Sequence, residues 1–88
     1  MSSPTTFATR PAMLLRRRIA TYFTGGAEEI PALVRALDGT LVHELSVDIK
    51  DGVRESSMVC AVLLGADEID ALLDRLRALP AVVSAELA

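Results

Sequence analysis

Three groups of residues in this sequence could do chemistry. His43 and Cys60 are the only histidine and the only cysteine, and an imidazole beside a thiol is a common way to activate a sulfur nucleophile. Gly25-Gly26, followed by Glu28-Glu29, joins a backbone that a ligand can approach closely to a helix start whose free N–H groups favour a carboxylate. The two glutamates weaken an anion site but can answer an ammonium group. Arg16-Arg17-Arg18 could grip phosphate or an acidic patch on a partner. One histidine with one cysteine is too few for a structural zinc site, so no metal and no cofactor are expected.

Each group also has a plainer reading, and the elements that position it decide between the two. The chain has 88 residues, 51% of them hydrophobic, which is enough for one small domain and excludes a large enzyme with its own substrate domain. Its aromatic residues are Phe7, Tyr22 and Phe23, with no Trp, so Leu, Val, Ile and Ala must build a thin core. A single core of this size rarely supplies more than about 3–5 kcal/mol, and such domains gain the rest from disulfides, metals or association. With the first two removed, association is expected. The net charge of −3 opposes nucleic acid or an anionic membrane as the main partner. No run approaches the roughly 18 apolar residues of a membrane span, and the start of the chain does not read as a secretory signal. A soluble, cytoplasmic protein is expected, with a free Cys60 suited to a reducing compartment.

Residues 1–13 are polar, rich in Ser, Thr and Pro and without period, and read as a disordered tail before a domain over 14–88. Leu14 to Phe23 reads as a strand that turns at Thr24-Gly25-Gly26. Ile30, Leu33, Val34 and Leu37 recur at i, i+3, i+4 and i+7, which predicts a helix from about Ala27 to just before Asp38, capped by Gly39. Leu41, His43, Leu45, Val47 and Ile49 alternate with polar or smaller residues, as in a strand buried on one face. Asp51-Gly52 then signals a two-residue hairpin, and Val53 to Leu64 is the returning strand, apolar on both faces over its second half. A second helix opens at Asp67, its expected N-cap, carries Ile69, Leu72, Leu73, Leu76 and Leu79 on one face, and stops at Pro80. Ala81 to Ala88 is the last strand. Strand, helix, strand, strand, helix, strand with right-handed crossovers is the α+β ferredoxin-like fold, a four-stranded antiparallel sheet with two helices on one face.

That fold predicts where the reactive residues fall. A two-residue turn at Asp51-Gly52 sets Lys50 against Val53 and His43 directly across from Cys60. The pair then lies on the helix-covered face, where a free Cys is a small hydrophobe and packing is expected rather than catalysis. Alternation sends Arg16 and Arg18 to the open face of the sheet and Arg17 towards the helices. Val42, Val59, Ala61 and Leu63 also point away from the helices on this reading, and form the expected contact of a homodimer.

The fold hosts unrelated functions. The third strand lacks the stacking aromatics of an RNA-recognition domain, and Thr24-Gly25-Gly26-Ala27 stands where metal chaperones of this topology carry Cys-x-x-Cys. Ile30-Pro31-Ala32-Leu33-Val34-Arg35-Ala36-Leu37 leading to Leu45-Ser46-Val47, and the run Ile69 to Leu79 leading to Val82-Val83, resemble the ACT domain, an amino-acid-sensing regulatory module. The resemblance covers Arg16 to Leu87, and in length and loop is greatest to short stand-alone members such as the small regulatory subunit of acetohydroxyacid synthase. It lacks the Pro-Gly that the family places before its first helix. The resemblance implies a non-catalytic dimeric partner of a large biosynthetic enzyme, with the thiamine diphosphate on that enzyme. An amino-acid effector would sit at Thr24, Gly25, Gly26, Ala27 and Glu28. A purely structural ferredoxin-like dimer and a small cofactor-free enzyme of the monooxygenase type are the alternatives.

Overall fold

The computed structural model describes residues 13–50 and 55–88. The tail expected over 1–13 therefore lies outside the described residues except for Met13, and so does the Asp51-Gly52 turn.

Strand β1 (Leu14–Phe23) is followed by a 3-10 turn (Ala27–Glu29) that runs into helix α1 (Ile30–Ala36). Pro31 is tolerated there because it lies in the first turn of α1, where its missing N–H would have no partner in any case. The helix is capped at Leu37 and not, as expected, at Gly39, which instead turns the chain towards β2 with a φ of +84°, a left-handed conformation that favours glycine. Strands β2 (Leu41–Asp48) and β3 (Ser56–Gly65) follow, then a second 3-10 turn (Ala66–Glu68), helix α2 (Ile69–Arg77) and strand β4 (Val82–Leu87). The sheet has the order β2-β3-β1-β4 and is antiparallel throughout. This is the ferredoxin-like βαββαβ fold that the pattern predicts.

β1 and β3 form the centre of the sheet. Ile19 and Phe23 of β1 and Met58, Cys60, Val62 and Leu64 of β3 face the helices and pack with Leu33 and Leu37 and with Ile69, Leu72, Leu73 and Leu76 of α2. The apolar stripe of α2 is fully used, with Leu72 and Leu76 at 1% exposure or less. Asp67 is not an N-cap by its side chain. The free amide of Gly65 is instead capped by the Glu68 carboxylate at 2.7 Å, because Glu68 sits at the third position of the turn and can reach back.

β2 departs from expectation twice. Seven of its eight residues are exposed, since it is an edge strand and the seven residues of α1 do not reach across it. Its register also shifts. Val42 lies opposite Val62 whereas Glu44 lies opposite Ala61, so His43 is the extra residue of a bulge. An extra residue exchanges the two faces, which puts Val42 on the helix side with Leu45 and Val47, and leaves Leu41 and Glu44 on the open side.

Candidate functional site

The turn between β1 and α1 is held from three directions. On the β4 side, Thr24 donates its backbone amide to the carbonyl of Ala81 at 2.9 Å, and its hydroxyl reaches the same oxygen at 3.4 Å. Beneath it, the buried Ser56 hydroxyl donates to the carbonyl of Gly25 at 3.1 Å and accepts from the amide of Lys50 at 3.0 Å. From within, Glu28 folds back so that its Oε2 accepts the amide of Gly26 at 3.0 Å.

Gly25, at φ +95°, occupies a conformation that costs a side-chain-bearing residue roughly 1–2 kcal/mol. A Cβ there would also meet Glu29 Cγ at 3.0 Å. Gly26 has an ordinary φ of −124°, and a Cβ on it would meet only the flexible Glu28 carboxylate, at 3.1 Å. Gly25 is thus required by the backbone, while Gly26 is small because Glu28 lies over it.

The backbone donors expected to hold a ligand carboxylate are accordingly in part occupied by the chain's own Glu28. Its carboxyl is held below the usual range by the hydrogen bonds from the Gly26 amide and from its own amide, which favour the charged form. Thr24, Gly25, Gly26, Ala27 and Glu28 do come together as one turn, with Glu29 folded back beside Gly25. Ser56 was not among the residues expected here. Its signal in the sequence is position: alternation through Ser56, Met58 and Cys60 puts a hydroxyl on the core face, where a polar group needs partners.

The His43–Cys60 pair does not form. Cys60 lies opposite Leu45, and His43 sits exposed in the bulge. Cys60 is fully buried and burial raises its thiol pKa, the opposite of what an activated nucleophile needs.

Arg16 and Arg18 do lie on the open face, opposite Leu63 and Ala61. Both approach Glu44 Oε1, at 3.8 and 3.5 Å. Arg18 and Glu44 flank Ala61 from the two neighbouring strands, so their ion pair spans it, and Ala61 is 1% exposed although no helix covers that face. Of the expected dimer residues, Val59 and Leu63 are half-buried on the open face, Ala61 lies beneath its own chain's ion pair, and Val42 is on the other side of the sheet. The bulge at His43 is the cause of that last correction. Among the described residues no cluster of three or more His, Cys, Asp or Glu side chains could hold a metal, and no helix is long and apolar enough to cross a membrane.

The sequence matches no family model and no curated protein. Solved structures do match the fold. One is the solution structure of the ACT domain from GTP pyrophosphokinase of Chlorobium tepidum, with a TM-score of 0.73 over 85% of this chain and 86% of that one, at 15% sequence identity. At that identity the likeness bears on the fold alone, the ferredoxin-like fold that the two chains share.

Proposed function

We propose that this chain is a non-catalytic, ACT-like regulatory module that forms a homodimer and senses an amino acid or binds a biosynthetic enzyme partner in the cytoplasm. The observation that carries the reading is the β1–α1 turn. Its glycine backbone is fixed by Ser56 and Ala81, and two carboxylates fold back over it. An amino acid fits this turn with its ammonium on Glu28 or Glu29 and its carboxylate on the Gly26 amide, in exchange for Glu28. The likeness in fold to an ACT domain supports the same assignment.

Association is supported by apolar residues that stay exposed among the described residues, Val42 and Leu45 on the helix side of the β2 edge and Leu41 and Leu14 on the open side, which a second copy would bury. One observation favours a second reading, a structural dimer without effector: Glu28 already satisfies the Gly26 amide, so the turn is complete by itself. Melting curves across a panel of the common amino acids separate the two. A ligand of the folded dimer raises the melting temperature with the logarithm of its concentration above Kd, and Gly26→Val, whose side chain must displace the Glu28 carboxylate over this amide, removes the shift, with the circular dichroism spectrum of the variant as the check on its fold. No shift with any amino acid leaves the structural reading.

A further inference from the structure

At the opposite end of the sheet from that turn, where β2 begins and β3 ends, a cleft of about 320 Å³ opens between the end of α1 and the face of α2. Its floor includes Leu63 and Leu64, and its polar wall is Asp38, Thr40, Glu68 and Arg75. Glu68 closes the 3-10 turn that leads into α2 and Arg75 lies in the last turn of that helix, while Asp38 and Thr40 flank Gly39 in the loop after α1.

Arg75 is a placed cation. Its Nε donates to the carbonyl of Ala36 at 3.1 Å, which ties the guanidinium across the two helices and leaves its terminal nitrogens without a protein partner among the described residues. Glu68 is placed as well, since its Oε1 accepts the Gly65 amide and its second oxygen is left over. Asp38 lines the same cleft, yet no ion pair joins Arg75 to Asp38 or to Glu68 among the described residues. Charges of both signs thus face one cavity without neutralising each other.

We infer that this cleft is a small-molecule site for a zwitterion carrying an ammonium and a carboxylate, the carboxylate on Arg75 and the ammonium on Asp38 and Glu68. A simple anion meets two carboxylates here, and a simple cation meets the guanidinium. A ligand bearing both charges satisfies the three groups together, and charge-assisted hydrogen bonds of this kind are the strong ones. The volume lies at the small end of the range of about 300–1,000 Å³ found for ligand pockets and is ample for an amino acid, while the two carboxylates oppose the phosphate of a nucleotide. The inference rests on the cleft alone and does not require the β1–α1 turn to bind anything.

The test is a titration of the full chain with each common amino acid, read by amide NMR, with acetate and methylammonium as carriers of one charge each. An amino acid that perturbs the amides of Thr40 and Glu68, and whose Kd rises roughly tenfold or more in Asp38→Asn and in Arg75→Gln while Gly26→Val leaves it unchanged, supports the site. Asp38 is exposed and makes no hydrogen bond by its side chain among the described residues, so Asp38→Asn keeps the test valid if Arg75→Gln folds poorly. Perturbations confined to Gly25 and Gly26 and lost in Gly26→Val support the turn and overturn the cleft. Acetate or methylammonium binding as well as any amino acid, or no perturbation at Thr40 and Glu68 by any of them, also overturns it.

Discussion

Ser56, at the start of β3, ties the end of the β2 segment to the distant β1–α1 turn through one hydroxyl, which accepts from Lys50 and donates to Gly25. Removing it leaves the Lys50 amide and the Gly25 carbonyl without their partner at a position that is itself fully buried. Ser56→Ala is expected to lower stability by about 0.5–1.5 kcal/mol, the usual net worth of hydrogen bonds whose remaining partners water can reach, as measured by urea unfolding. A change under a few tenths of a kcal/mol contradicts the role given to this hydroxyl. Glu28 makes a second prediction, in pH. Its folded pKa is depressed by the Gly26 and Glu28 amides, so the contact is present above the ordinary carboxylate range and is lost as pH falls through the lower folded value. The Glu28 carboxyl should titrate by NMR with a midpoint below 4.5, and the Gly26 amide should shift with it. A midpoint at or above that value means the carboxylate does not cap the turn. At this scale the glycine turn was legible from the sequence because Gly-Gly before a helical stripe has few other uses. The Arg75–Asp38 cleft was not legible, since it joins the loop after α1, the α2 segment and a strand end that no local pattern relates.

At the scale of elements, the helices and β2 follow from periodicity, β1 and β4 from strand-favouring residue types and from Pro80, and the βαββαβ topology from the hairpin signal and right-handed crossovers. The register between β2 and β3 does not. Met58 to Leu64 is apolar on both faces, so pattern alone cannot distinguish one alignment from its neighbours, and Asp51-Gly52 favoured the alignment that opposes His43 to Cys60. The alternation of β2 likewise signals one buried face, but burial also needs a covering element, and α1 is too short to supply it. Two truncations measure this difference. Leu76→Ala in α2, at full burial, should cost about 2–5 kcal/mol. Leu45→Ala on β2, 42% exposed, should cost less than about 1 kcal/mol in the monomer, in line with exposed sites generally. Equal costs in a dilute, monomeric sample would mean that β2 is covered after all.

At the scale of the whole molecule, the described residues form one well-filled core between the helices and the centre of the sheet and leave two surfaces uncovered among themselves: the β2 edge with Leu41, Val42 and Leu45, and the open face with Leu14, Val59 and Leu63. A domain of 88 residues with few aromatics has little stability to spare, and covering either surface with a second copy adds burial that the monomer lacks. Ligand and association are then linked, because an effector that binds only the dimer shifts the assembly equilibrium by mass action. The most direct test of the regulatory reading is sedimentation of the purified chain at tens of micromolar, alone and with each common amino acid, beside Val42→Asp and Val59→Asp. The expected result is a dimer that at least one of the two substitutions weakens and that at least one amino acid tightens. A monomer under every condition, unaltered by either substitution and by all the amino acids, would contradict it.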